Sequence, residues 1–390
     1  MTTDWRTIGG GASAWFEVPS LTAGAALIER IADLMDGDDL PALELRASGV
    51  RVRISMADVE LARAISAAAQ ELGLTANPAA LQIVQLAIDA ADKTSVVSFW
   101  QTALAYKPVG DGSLVDPLRR DPAISFHRQD QPRPQRNRIH VDVARVPEAV
   151  EAVKAALGQA AYGVYQLTLA DADGNEIDLV PGSELSKETY DWHALFGAMT
   201  FYPTTSPAQA VELTTSVAGL ADDAGLPLLV DLRPDGVTID SGKDQWEDEE
   251  GAAEPGFVDL AGRIQTAAYD LGLAADPTRL RFVQFGIDAV DVPAVRAFWT
   301  TALGYQHDPR PHASDIYDPR RLNPVIIFQQ LDAAEEDRRR QRNRIHLDLL
   351  VPSDQVQPRI DAAVAAGGRV VTGTTLTDPE GNELTITTNS

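Results

Sequence analysis

The feature that most constrains this chain is that it contains itself twice. Set over one another, Leu81 to Lys107 and Leu280 to Gln306 are identical at 14 of 27 positions. Gln85 meets Gln284, Asp89 meets Asp288, Phe99-Trp100 meets Phe298-Trp299, and Tyr106 meets Tyr305. Further on, QRNRIH at Gln135 to His140 recurs unchanged at Gln341 to His346, and DADGNE at Asp171 to Glu176 returns as DPEGNE at Asp378 to Glu383. Fainter matches precede these, such as ELGL at Glu71 to Leu74 against DLGL at Asp270 to Leu273. A period this long marks a duplicated two-domain unit, residues 1–183 and then 184–390. At 390 residues the chain is also too long for one compact core. The domains read as 1–80, 81–183, 184–279 and 280–390, all of the α+β class.

Periodicity supplies the elements. Residues 21–36 put Leu27, Ile28, Ile31, Leu34 and Met35 on one helical face, with Gly37 as the stop. A strand near Val50 to Ile54 and a helix from about Ala57 complete a small α+β domain, which Asn77-Pro78 closes. In the second domain Val84, Leu86 and Ile88 alternate with Gln85, Ala87 and Asp89, as a half-buried strand requires. A helix bearing Val96, Phe99, Trp100, Ala103 and Leu104 follows, then a strand at Ile124 to Phe126. A second round runs from Arg138 to Val143, through a helix at Pro147 to Leu157, to a hairpin turning at Asp173-Gly174-Asn175. Each second domain is therefore expected to fold as two βαβ-rich halves. Copy two carries an extra acidic run, Asp244 to Gly256, expected as a solvated mobile loop.

Bulk properties narrow the partners. A net charge of -24 repels a long polyanion, so no nucleic acid partner is expected. The absence of cysteine removes disulfides, thiolate metal sites and cysteine nucleophiles, and fits a cytoplasmic location. No basic, apolar leader and no stretch of 18 apolar residues occurs, so no membrane partner is expected and the protein reads as a soluble monomer or homodimer. G-x-S-x-G, G-x-x-x-x-G-K and H-E-x-x-H are all missing, which removes the hydrolase, nucleotide-dependent and zincin readings.

Strand alternation then picks out a polar surface. If Ile139, Val141 and Val143 face inward, Arg138, His140 and Asp142 face the other side, and Asp178 likewise opposes Ile177 and Leu179. A curved sheet could bring Gln85, His140 and Asp178 together. Trp100 and Trp299 fall on the apolar faces of their helices and read as core.

These ordered motifs, SFWQTALAY or AFWTTALGY, RNRIHVD or RNRIHLD, and DADGNEIDL or DPEGNELTI, resemble the glyoxalase-like branch of the vicinal oxygen chelate superfamily. The resemblance implies paired βαβββ modules forming a cup. Many members hold a divalent metal there, and others, such as the bleomycin-resistance-like ones, bind a drug without one. Carried onto this chain, the metal positions are Gln85, His140 and Asp178 in copy one, with His127 as a fourth candidate. Imidazole and oxygen donors suit Zn, Ni, Fe or Mn. The same places in copy two are Gln284, Gln329, His346 and Thr385, a poorer set. Arg138 and Arg344, beside the histidines, are candidates for binding an anionic ligand along with His140 and His346. Glu176 and Glu383 read equally as turn braces and as bases.

The smaller domain is similar, more weakly, to pterin carbinolamine dehydratase, through its xxLP turn, LRASGVRVRIS strand and DVELARAI helix. That family's histidine positions read Asp38-Asp39-Leu40-Pro41 and Ala224-Gly225-Leu226-Pro227 here, and residues 1–80 contain no histidine. Without an imidazole titrating near neutrality, dehydratase activity is not expected. Two readings of function follow. One is a binding protein that takes a small, anionic metabolite or drug into its cups. The other is a divalent-metal-dependent lyase, isomerase or dioxygenase-like enzyme working in the first cup, with no catalytic residue assigned.

Overall fold

The computed structural model describes residues 3–35, 40–110, 112–243, 245–248 and 251–388. Gly37 and the Asp38-Asp39 pair fall outside the described residues. The chain divides into two compact units that are not the two sequence copies. One unit joins residues 1–81 with 182–280, and the other joins 82–181 with 281–390.

In the first unit the copies meet edge to edge in a ten-stranded sheet. Its junction is Ala42–Arg46 paired antiparallel with Leu229–Arg233, in the register Val230 to Leu45, Asp231 to Glu44 and Leu232 to Leu43. Leu43, Leu45, Val230 and Leu232 turn to a core shared with helices Leu21–Asp33, Val59–Glu71, Pro207–Ala224 and Pro255–Asp270. The opposite parity carries Glu44, which binds Arg51, Arg53 and Arg233, while Arg46 binds Asp231. The first helix starts at Ser20, whose hydroxyl accepts the Ala23 N–H, and Asp222 of the other copy accepts the N–H groups of Leu21 and Thr22. In the acidic run, Asp244, Glu249 and Glu250 lie outside the described residues, and part of the rest is tied back by hydrogen bonds. The Trp246 indole donates to the Phe196 carbonyl at 2.7 Å, and Glu254 N–H closes back on the Trp246 carbonyl.

The second unit holds two sheets, each built from strands of both copies. An eight-stranded sheet runs Arg369–Thr372, Thr375–Thr377, Glu383–Thr387, Ile345–Leu350, Ile83–Ala90, Ile124–Arg128, Leu114–Val115, Lys107–Pro108. A seven-stranded sheet runs Thr168–Ala170, Glu176–Pro181, Ile139–Arg145, Phe282–Ala289, Val325–Gln330, Ile316–Tyr317, Gln306–His307. The central pair of each is antiparallel and crosses between copies. The expectation that the two halves of one copy pair with each other is thus corrected. The physical reason is that the duplication made near-identical strand edges. Leu86 opposite Leu347, and Val141 opposite Phe285, satisfy the core as an intracopy pair would.

One apolar core lies between these sheets and their helices, including Lys93–Leu104 and Val292–Leu303. Trp100 and Trp299 are in it as the periodicity requires, and their indoles donate to Asp171 and Asp378, the first residues of the two GN turns. Burial leaves the carboxyls of Asp171 and Asp378 above the usual range, against those hydrogen bonds. No described helix is long and apolar enough to cross a membrane.

Candidate functional site

In the seven-stranded sheet, strand alternation puts His140 and Asp142 on the face away from the core. Their neighbours on that face follow from register. The parallel strand on one side places Asp178 opposite Asp142, and the antiparallel strand on the other places Gln284 opposite Asp142 and Gly286 opposite His140. Donor atoms of His140, Asp142 and Asp178 all lie within 4.8 Å of one another. His140 Nε2 is 3.4 Å from Asp142 Oδ1, and Gln284 Nε2 donates to Asp142 Oδ2 at 2.9 Å. The imidazole lies flat against the glycine: a Cβ on Gly286 would sit 2.2 Å from the ring.

The eight-stranded sheet repeats this layout with other residues. His346 and Asp348 share a face, Thr385 and Gln85 flank Asp348, and Ala87 stands opposite His346. The His346 ring stacks on His127, from the strand on the far side of Ile83–Ala90, with centroids 5.9 Å apart and planes 27° apart. Burial lowers the His346 pKa, and His127 adds to this, although Asp348, Asp89 and Glu383 pull it up. Burial likewise raises the Asp348 carboxyl, against the pull of His346, His127 and a hydrogen bond from Thr385. The pair therefore favours a neutral imidazole, and this sheet offers less negative charge than the other.

The profile of a glyoxalase-like domain matches residues 85–180 and again 284–387. The chain belongs to the glyoxalase-like domain family. No curated protein gives a significant match to it. Among solved structures, a glyoxalase I mutant from Zea mays aligns with a TM-score of 0.35 and 10% identity, covering 78% of this chain and 94% of that one.

With its strands exchanged between copies, this glyoxalase-like protein regroups the residues picked from sequence. His140 and Asp178 come together, but Gln85 and His127 do not join them. They lie in the other sheet with His346 and Thr385, while Gln284 joins His140, and Gln329 sits on the strand beyond it, opposite Asp288. Asp142 lies on the polar face that strand alternation predicts, although it is not among the metal positions the resemblance implies; Asp348 and Gly286 have no place in either expectation. The His-x-Asp spacing of a period-2 strand is the signal that finds the two aspartates; no sequence signal reveals which strand carries the facing glycine.

The arginines also change role. Arg138 and Arg344 are each 1% exposed. Arg344 donates to the Asn175 side chain at 3.0 Å, to the Gly174 carbonyl at 3.0 Å, and to the carbonyls of Arg133 and Gln135. Arg138 does the same to Asn382 and to the carbonyls of Arg338, Arg339 and Gln341. Their backbone N–H groups are taken by Asn343 and Asn137, again across copies. These guanidiniums brace the opposite copy's turn and loop instead of lining a cup mouth. Glu176 is held by Arg136 and the Tyr162 hydroxyl, and Glu383 by Arg342, so both brace.

Proposed function

We propose that this glyoxalase-like protein binds a small, oxygen-bearing molecule through a divalent cation held by His140, Asp142 and Asp178. The observation that carries this reading is the convergence of one imidazole and two carboxylates within 4.8 Å on one sheet face. The residues fit such an ion. Hard carboxylate oxygens with a single imidazole suit Zn, Ni, Fe or Mn, and Gly286 makes the room that lets His140 lie beside Asp142. Gln284 orients Asp142 from the outer oxygen, as a supporting partner does for a metal carboxylate. When bound, the ion would polarise adjacent oxygens of the ligand.

A binding role is favoured over catalysis because the nearby acid most suited to moving a proton, Glu176, is tied to Arg136 and Tyr162. The His346 sheet has Thr385 where the first sheet has Asp178, which supports a face that needs no ion. A thermal-shift screen of small ligands with adjacent oxygens, run with each divalent ion and with chelator, tests this. Ligands are expected to raise the melting temperature of the wild type only when ion is present. Equal shifts in chelator would remove the cation from the account.

A further inference from the structure

The short helix Glu336–Arg340, the strand start at Arg369 and the turn at Pro379-Glu380 flank a solvent-open cavity of about 410 Å³. Arg339, Arg340 and Arg369 line it with Glu336 and Glu380. Three guanidiniums in one cavity stand out on a chain of net charge -24. Both acids have partners, and the pair with Glu336 also takes up part of Arg340. Glu336 accepts from Arg340 at 2.7 Å, and the two oxygens of Glu380 accept the backbone N–H groups of Val290 and Asp291 at 3.0 and 2.6 Å. Arg339 gives one bond to the Ala333 carbonyl at 3.1 Å and Arg369 one to the Pro379 carbonyl at 3.4 Å, so most of their N–H donors stay available.

The duplication supplies an internal comparison. Before its own QRNRIH run, copy one reads Pro132-Arg133-Pro134 where copy two reads Arg338-Arg339-Arg340, and Tyr162 stands at the position of Arg369. The arginine cavity was therefore built once, on a scaffold that the chain has twice.

We propose that this cavity is a binding site for a small phosphate-bearing anion, distinct from the His140 sheet. A tetrahedral phosphate offers enough oxygens to take planar forks from two or three arginines, whereas a carboxylate fills one fork. The volume suits a small molecule, and the overall negative charge disfavours a polyanion.

Calorimetric titration of the full chain with inorganic phosphate and with pyrophosphate, at an ionic strength of about 0.15 M, tests the proposal. One saturable site per chain is expected, weakened about tenfold or more by Arg339→Gln combined with Arg369→Gln, because charge-assisted bonds are lost. The exposed Arg30→Gln and Arg63→Gln pair should bind as wild type, and so should His140→Ala, which separates this cavity from the cation site. The proposal is overturned by absence of saturable binding, by wild-type affinity in the Arg339/Arg369 variant, by loss in His140→Ala, or by succinate binding as tightly as phosphate.

Discussion

Gly286 decides where the His140 ring can lie, since any side chain there would overlap the imidazole at 2.2 Å. In the other sheet Ala87 stands opposite the histidine, and His346 instead stacks on His127. Gly286→Ala is therefore expected to displace His140 and abolish divalent-ion binding, at a stability cost of about 1–3 kcal/mol for overpacking. Ion titration with a parallel urea melt checks both halves of that statement; unchanged ion affinity would mean that the ring does not need this cradle. At this scale the sequence was partly legible. His140 and Asp178 could be chosen because strand alternation fixes which face a residue takes. The residues facing His140 from the next antiparallel strand, Gln284 and Gly286, could not, because they depend on which edge pairs with which, and two copies of Gln85's strand compete for the role.

Among the elements, the twice-written QRNRIH run is a reciprocal clasp. Asn137 and Asn343 each accept the other copy's arginine N–H, at 2.7 and 2.9 Å, and donate to Asn175 and Asn382 of their own turns. Arg344→Ala would take this donor from the carbonyls of Gly174 and Arg133, at about 1–3 kcal/mol for each unsatisfied group, while Asn175 keeps Asn137 and the Gln135 carbonyl keeps Gln341. A loss of at least about 2 kcal/mol in urea denaturation is expected on that basis. Arg136→Ala, whose side chain is 58% exposed, should cost no more than about 1 kcal/mol. Equal effects from the two would contradict the bracing role. The recurrence of this motif was plain in the sequence, and so were the helices and the GN hairpins. Its task was not, because a repeated arginine beside a histidine suits a ligand as well as a clasp until the partner strand is known.

For the whole molecule, duplication is used to exchange strands, so neither copy completes a sheet of the second unit alone. Fragments 1–181 and 182–390, made together, should purify as one complex; two independently folded monomers would contradict the exchange. The first unit has its own junction at Glu44. Burial pushes that carboxyl up, but Arg51, Arg53 and Arg233 hold it well below its ordinary value of 4.5. A depressed folded-state pKa contributes stability that is present above about 4.5 and is lost as pH falls through the folded value. Glu44→Gln should therefore lower the urea midpoint near neutral pH and show a flatter decline in acid than the wild type; parallel declines would mean that Glu44 does not control the acid limb. The most direct test of the central assignment is metal stoichiometry by native mass spectrometry on wild type, His140→Ala, Asp142→Asn and His346→Ala, each loaded with the same divalent ion. One ion per chain is expected in the wild type and in His346→Ala and none in the other two, whereas loss in His346→Ala with retention in His140→Ala, or no ion in any of the four, would contradict the assignment.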